Sequence, residues 1–152
     1  MKIKVLAKNK RAYFDYELLE TFEAGIELLG QEVKSIRNGG ISLGESYIRE
    51  IDQQLWLWNA SVTKYRFSSD QEYDPLRTRR LLLSRSEIEK LQSKAKASKL
   101  TIVPTKIYSK GKYLKLEIAL ARGKKRFEKQ AKIKERELDR ELHREKRKYM
   151  VE

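Results

Sequence analysis

The fifteen residues FDYELLETFEAGIEL, numbered 14 to 28, decide the fold of this 152-residue chain. Apolar side chains fill most even positions and polar side chains most odd ones, with Leu19 and Glu20 as the exceptions. This alternation predicts a β-strand with one buried face and one exposed face. The stretch is about three times the usual strand length, so we expect it to bend, and Gly25 is where it can do so.

The period changes after this stretch. Leu29, Val33 and Ile36 are spaced as i, i+4 and i+7, which predicts a short helix with one apolar stripe. Lys34 and Arg37 lie off that stripe, and Gly39-Gly40 ends the helix. A long bent strand followed by a helix could form the edge around which a small barrel closes.

The remaining elements follow from the same patterns. The patterns over residues 43–51 and 55–62 predict two strands with a turn at Gln53-Gln54. Trp56 and Trp58 are expected to pack on the face opposite Leu55 and Leu57, and stacking on a base is the alternative. Residues 64–80 predict a long loop with a basic end. Ser84 and Glu87 form a capping box that begins a helix. Residues 100–108 and 113–121 predict two strands joined by a turn at Gly111.

The order is five strands with a helix between the third and the fourth. This is the topology of a mainly β, oligonucleotide-binding (OB-like) antiparallel barrel, here with helices, and we assign residues 1–122 to it. The short helix after the first strand would be an insertion. The pattern alone also permits an unrelated small barrel or an α+β sandwich.

The charge of the chain indicates a polyanionic partner. Thirty-five Lys and Arg residues against twenty-two Asp and Glu residues give a net charge of +13, which favours nucleic acid over a membrane surface. No apolar run has the length of a membrane span. The chain has no Cys, which suits the cytoplasm.

Residues 123–152 predict a separate basic tail. They hold twelve basic and seven acidic side chains. If the tail is helical, the basic residues at 132, 136, 140, 144 and 148 form one ridge, while its apolar stripe is thin. We therefore expect the tail to be disordered in isolation and helical when bound to RNA. A merely solvated tail is the alternative.

The sequence offers no set of residues for catalysis. Its single histidine, His143, lies in the charged tail, and neither a glycine-rich phosphate loop nor a Ser/His/Asp set is present. Glu17, Glu23 and Glu27 share one strand face and could hold a divalent ion for nuclease chemistry, but such carboxylates are more often solvated. We predict a protein that is not an enzyme and has neither cofactor nor metal site.

Five segments of the chain together resemble a known family. They resemble, in the right order, the signature segments of the SsrA-binding protein (SmpB) family, and they span nearly the whole chain. The segments are Asn9-Lys10-Arg11-Ala12, Phe22-Glu23-Ala24-Gly25-Ile26, residues 30–37 (GQEVKSIR), residues 74–83 (DPLRTRRLLL) and residues 119–125 (ALARGKK).

The resemblance implies a function as well as an OB-like barrel. It implies a cytoplasmic, monomeric factor that binds the tRNA-like part of transfer-messenger RNA and delivers it to stalled ribosomes for trans-translation. The tail would then occupy the decoding site and the message channel. Two other hypotheses are a structural ribosomal protein with a basic tail, which would remain on ribosomes at high salt, and a divalent-metal nuclease.

The charge pattern and the resemblance together predict the binding residues. Those expected to contact RNA from the barrel are Lys10, Arg11, Tyr16, Glu23, Lys34, Arg37, Tyr47, Arg77, Arg79, Arg80 and Leu82. Those expected to contact the ribosome from the tail are Lys124, Lys125, Phe127, Lys132, Ile133, Lys134, Arg136, Arg140 and Arg144. The chain departs from the family pattern at three positions: Phe14 and Phe127 replace a common His, and Ser84 replaces an Asn found in some members.

Overall fold

A computed structural model of the chain describes residues 2–124 and 136–142. By its internal contacts the chain divides into two units, Met1–Arg122 and Gly123–Glu152. The first unit contains nearly all of the described structure. In chain order its elements are β1 (Ile3–Lys8), α1 (Lys10–Asp15), β2 (Tyr16–Ile26), α2 (Gly30–Arg37), β3 (Ile41–Ser42), β4 (Tyr47–Ile51), β5 (Gln54–Trp58), β6 (Ser61–Val62), β7 (Arg79–Leu82), α3 (Arg85–Ala97), β8 (Thr101–Lys110) and β9 (Tyr113–Gly123).

Seven of these strands form one sheet, in the order β1-β8-β9-β2-β7-β5-β4. The other two, β3 and β6, form a small antiparallel pair. The β4 edge also lies close to β8. The architecture is mainly antiparallel β with helices, which agrees with the predicted OB-like class, although the described residues contain nine strands instead of five.

The long strand β2 behaves as the alternation predicted. Its even residues are buried or half-buried, most of its odd residues are exposed, and Ala24 and Ile26 reach the core. The core also receives Leu114, Leu116, Ile118 and Leu120 from β9, as their alternation predicted. The central strands of the sheet therefore share one apolar interior.

The predicted start of this strand is wrong by two residues. Residues from Lys10 to Asp15, including Phe14, form helix α1 instead. Asn9 begins this helix, because its side-chain oxygen accepts a hydrogen bond from the Ala12 N–H. The backbone N–H of Asn9 donates to the Thr105 carbonyl. A side-chain cap of this kind satisfies helical donors that would otherwise lack partners.

Two further predicted strands differ from the structure. Only the second half of the strand predicted over 43–51 forms, as β4, because residues 43–46 make a turn in which the Ser46 N–H binds the Leu43 carbonyl; β3, which was not predicted, precedes that turn. The strand predicted over 55–62 becomes β5 and β6, because Asn59 has a φ of +59° and turns the chain. Strand β6 then pairs with β3 instead of continuing the main sheet.

Strands β1 and β7 were not predicted. Strand β1 is an edge strand on which Ile3 and Val5 remain exposed, so it lacks a clear buried face. Strand β7 falls at the basic end of the predicted loop, and it joins β2 to β5. The loop is therefore shorter than predicted and ends before Arg79.

The helix and turn signals are largely confirmed. Ser84 and Glu87 form the predicted capping box at the start of α3. Gly111 has a φ of +61° in the β8–β9 turn, a conformation that glycine adopts without strain. The β4–β5 turn lies at Asp52-Gln53, with φ values of +52° and +63°, one residue earlier than predicted.

In the second unit, residues 136–142 are helical and exposed. Arg136 and Arg140, from the predicted basic ridge, lie on this helix, as do the exposed Leu138 and Leu142. The predicted tail residues Lys125, Phe127, Lys132, Ile133, Lys134 and Arg144 lie outside the described residues. The described helices include none that is long and apolar enough to cross a membrane.

Candidate nucleic-acid interface

A small groove lies where β2, β7 and the β8–β9 hairpin meet, and we call it the Leu82 groove. It measures about 250 Å³, which is smaller than the roughly 300–1,000 Å³ of typical small-molecule pockets, and it is open to solvent. Its lining residues are Gly25, Ile26, Leu28, Val33, Leu82, Lys112, Tyr113, Leu114 and Lys115. It therefore combines an apolar floor with a basic rim.

Gly25 allows this groove to form. A Cβ atom at position 25 would lie 3.0 Å from the Cβ of Leu82, closer than such atoms normally approach. The two residues are directly paired between β2 and β7. Leu82 can therefore lie against the β2 backbone while remaining 46% exposed, as a predicted RNA contact should.

Glu23 lies beside the groove, two residues before Gly25. Its Oε2 accepts a hydrogen bond from the Tyr108 hydroxyl, and the Lys110 ammonium is 3.5 Å from the same oxygen. The Tyr108 bond, with the Lys110 and Lys115 charges, holds the pKa of Glu23 below its ordinary value despite partial burial. Burial and the Glu23 carboxylate raise the pKa of Tyr108. Glu23 is thus an ionised acceptor whose side chain is 38% exposed.

Tyr113 is the exposed aromatic ring of the groove. It is 55% exposed, and the ammonium groups of Lys112 and Lys115 lie 5.4 and 5.9 Å from its ring centre. The Arg37 guanidinium donates a hydrogen bond of 2.7 Å to the Lys112 carbonyl, which ties α2 to the hairpin turn. The structure therefore brings the predicted residues Glu23, Arg37 and Leu82 to one surface.

A second group of predicted residues lines a different pocket, of about 350 Å³. Arg11, Tyr16 and Tyr47 contribute to its wall, together with residues 101–104 of β8. The Arg11 guanidinium binds the Glu45 carboxylate at 2.5 Å. Lys10 is exposed one residue earlier on α1. Arg11, Tyr16 and Tyr47 therefore share a second surface with two aromatic rings, on which Asp15 and Glu45 offset the Arg11 charge, while Lys10 lies outside the lining.

Trp58 packs next to this pocket. Trp58 lies parallel to Tyr47, with 6.3 Å between ring centres, and the Arg49 guanidinium is 5.0 Å from the Tyr47 ring. Trp56 and Trp58 are both only partly exposed. This arrangement agrees with the expectation that both rings pack against protein groups.

The basic end of the predicted loop requires a correction. Arg79 was predicted to contact RNA, but its side chain is fully buried and binds the Glu32 carboxylate through Nε at 2.8 Å and through Nη2. Its Nη1 also donates to the Ala60 carbonyl at 2.8 Å. A guanidinium enclosed in this way has no path to phosphate, so the prediction for Arg79 is wrong.

Arg77 and Arg80 lie on either side of this buried residue in different environments. Arg77 is partly buried and binds the other Glu32 oxygen at 2.5 Å. Arg80 is 41% exposed and pairs with Glu27 at 3.0 Å. Of the three arginines, Arg80 is the most available to a polyanion.

Glu32 is the centre of the buried ion cluster, which consists of Glu32, Tyr73, Arg77 and Arg79. It also caps α2 by accepting the Leu29 N–H at 2.8 Å, and the Tyr73 hydroxyl donates to its Oε2 at 3.0 Å. Burial alone would raise the pKa of Glu32, but the hydrogen bonds from Arg77, Arg79 and Leu29 outweigh it and lower that pKa. The cluster joins α2, the loop and β7.

The three glutamates considered for a metal site are each held by different basic partners. Glu17 binds Arg122 at 2.7 Å, Glu23 binds Lys110, and Glu27 binds Arg80. Within residues 2–124 and 136–142, no three His, Asp or Glu side chains are arranged to hold a metal ion. The outer face of β2 is thus a surface of ion pairs.

Sequence reasoning missed Tyr108, Lys110, Tyr113 and Lys115 as components of this surface. For Tyr113 and Lys115 a signal existed, because they occupy the odd positions of a strand whose even positions were predicted to be buried. The contact of Tyr108 with Glu23 joins residues 85 positions apart, and no local pattern indicates it.

The sequence model of the SmpB protein family matches residues 6–148. The chain belongs to the SmpB family. The SsrA-binding protein of Persephonella marina is 48% identical over 142 residues, which cover 93% of each chain. That of Mesoplasma florum is 49% identical over 146 residues, which cover 95% of this chain and 96% of the relative.

A solved structure supports the same membership of the SmpB family. It is described as "tmRNA-SmpB: a journey to the center of the bacterial ribosome". One chain of that structure superposes on this chain with a TM-score of 0.65 and is 45% identical in sequence. The match covers 79% of this chain and 85% of that one. Fold and family therefore agree along most of the molecule.

Proposed function

We propose that this protein binds the tRNA-like part of transfer-messenger RNA and delivers it to stalled ribosomes for trans-translation. The carrying observation is the SmpB family match over residues 6–148. The relatives are named SsrA-binding proteins. The similar solved structure is described as that of tmRNA and SmpB in the bacterial ribosome. In this role the protein acts in the cytoplasm as a monomeric binding factor with no catalysis of its own.

The Leu82 groove and its rim have the chemistry that folded RNA requires. Lys110, Lys112 and Lys115 place positive charge where phosphates can approach. Tyr113 offers an exposed ring for a base, and the Glu23 carboxylate offers an acceptor for a ribose hydroxyl or a base amino group. We assign the principal RNA contact to this surface.

The surface of Arg11, Tyr16 and Tyr47, together with the exposed Lys10, provides a second contact in this proposal. Its side chains combine positive charge with two aromatic rings. Three further predicted residues add exposed or partly exposed positive charge: Lys34, Arg37 and Arg80. The tail from Lys124 onward is assigned to the decoding site and the message channel of the ribosome.

The test is recovery of the RNA that the full chain binds in bacterial cells. We expect transfer-messenger RNA to be the most enriched RNA, and its association with ribosomes to be substoichiometric and reversed by salt. Recovery of ribosomal RNA alone, in stoichiometric complexes that resist salt, would instead identify a structural ribosomal protein. Cleavage of added RNA by the pure protein with magnesium would contradict the proposed absence of catalysis.

A further inference from the structure

A groove between α2 and residues 65–70 belongs to neither surface described so far. We call it the Phe67 groove. It is lined by residues 29–31 and Lys34 on one side and by Tyr65 and residues 67–70 on the other, and it is broad and open. Phe67 is 71% exposed, the largest exposed fraction among the large apolar side chains of the described residues.

The aromatic rings of this groove are arranged with cations. Tyr65 and Phe67 contact each other edge to face, with 5.5 Å between ring centres. The Lys34 ammonium lies 5.6 Å from the Tyr65 ring, and the Arg66 guanidinium lies 4.6 Å from the Phe67 ring. Flat rings beside positive charge form the combination that binds an unpaired base and its phosphate.

The loop that carries these rings is held in place before any ligand binds. The Tyr73 hydroxyl lies 3.0 Å from both a Glu32 carboxylate oxygen and the Val62 carbonyl oxygen, either of which can accept its one proton. Closer to the groove, the Gln31 amide nitrogen donates to the Asp70 carboxylate at 3.3 Å. A surface ordered in advance loses less conformational entropy on binding.

We propose that the Phe67 groove binds an unpaired base of the RNA partner, with the base stacked on Phe67 and its phosphate near Lys34 or Arg66. The proposal rests on the proposed function, because it assigns one more contact to the same RNA. It differs from the principal contact in position.

The experiment measures the affinity of the full chain for the tRNA-like part of transfer-messenger RNA at several salt concentrations. Phe67→Ala is expected to weaken binding about 5-fold to 100-fold, the usual range for loss of one base-stacking ring. The salt slope should not change, since no charge is removed. Because the ring is exposed, the melting temperature should also stay the same.

Three further variants identify stacking as the cause. Phe67→Tyr keeps a flat ring and should bind like the wild type, whereas Phe67→Leu keeps an apolar side chain without a ring and should bind like Phe67→Ala. Leu76→Ala removes another side chain exposed by about half on the same loop and should have no effect. If Phe67→Leu binds as tightly as the wild type, stacking is wrong.

The outcomes separate this proposal from the proposed function. If the wild type does not bind the RNA, the proposed function fails. If the wild type binds and Lys115→Met weakens binding while Phe67→Ala does not, only the Phe67 groove is excluded as an RNA site. If Phe67→Ala leaves RNA affinity intact but reduces peptide tagging on ribosomes, the groove contacts another partner and the proposal is overturned.

Discussion

The buried ion cluster around Glu32 and the exposed surface around Glu23 are built from the same residue types. Each places a glutamate between a tyrosine hydroxyl and basic side chains. The Glu32 cluster is closed, since both Glu32 and Arg79 are inaccessible to solvent. The Glu23 surface is open, and its lysines can turn towards a ligand. Burial, more than residue type, therefore separates a structural role from a binding role.

The neighbouring arginines Arg79 and Arg80 provide the strongest test of this difference. Arg79→Ala leaves the Glu32 carboxylate buried with fewer partners, and we expect a loss of about 3–5 kcal/mol in the free energy of unfolding. Arg80→Ala removes only a surface ion pair, and its effect on stability should stay below about 1 kcal/mol. Urea denaturation of both variants measures this. Equal losses would show that Arg79 is not structurally distinct from its neighbour.

The Leu82 groove should show the opposite behaviour. Lys115→Met removes a rim charge but keeps the length of the side chain, so stability should change little. Affinity for the tRNA-like RNA should fall by about 1.5–3 kcal/mol if the lysine makes a charged hydrogen bond, and the salt slope should fall by about 0.9 for a phosphate of a duplex. Titration at several salt concentrations checks both values. An unchanged affinity and slope would remove Lys115 from the site.

The acid sensitivity of the protein sharpens the comparison further. The pKa of Glu32 in the folded protein lies below the ordinary value of 4.5. Its ionised form therefore stabilises the fold at pH values above the unfolded-state pKa, and this contribution is lost as the pH falls through the folded-state pKa. Wild-type stability should decline on acidification from about pH 5, and Glu32→Gln should decline less steeply. Parallel curves for the two proteins would contradict this role of Glu32.

Truncation after Gly123 should have the smallest effect on the properties of the first unit. We expect a nearly unchanged melting temperature, and an affinity for the tRNA-like RNA within about 1 kcal/mol of the wild type, because distant exposed charges are screened beyond about 8 Å. Peptide tagging on stalled ribosomes should nevertheless be lost. Normal tagging by the truncated protein would make the tail a solvated appendage.

Phe127→Ala in the full chain examines the decoding end of the tail separately. Phenylalanine can supply a flat ring but no proton. If stacking at the decoding site is what the tail needs, tagging should fall while RNA affinity stays the same. Unchanged tagging would exclude a required ring at this position.

The sequence predicted those features that depend on local patterns. The alternation in β2, the capping box at Ser84 and the turn at Gly111 are each determined by residues close together in the chain. A local cap signal was nevertheless missed at Asn9. The alternation predicted a strand that already included Phe14, whereas Asn9 begins a helix that extends through Phe14.

The burial of Arg79 could not be predicted in the same way. The sequence around Arg79 does not distinguish it from the neighbouring Arg77 and Arg80. Its burial depends on Glu32, which is 47 residues away. The predicted RNA contacts Glu23 and Leu82 do lie near each other, but the lysines around them come from a hairpin whose outer face was not considered. Contacts between distant segments, and the burial that they produce, decide which charges are available.

The most direct test of the account makes one chemical change at two places. Glu32→Gln and Glu23→Gln each remove one negative charge with little change in shape. For each variant, the free energy of unfolding and the dissociation constant for the tRNA-like RNA are measured on the same sample. We expect Glu32→Gln to lose about 3 kcal/mol of stability with unchanged affinity of the folded protein. Glu23→Gln should remain stable and bind about 10-fold or more weakly. Tighter binding by Glu23→Gln, or a stability loss equal to that of Glu32→Gln, would contradict the account.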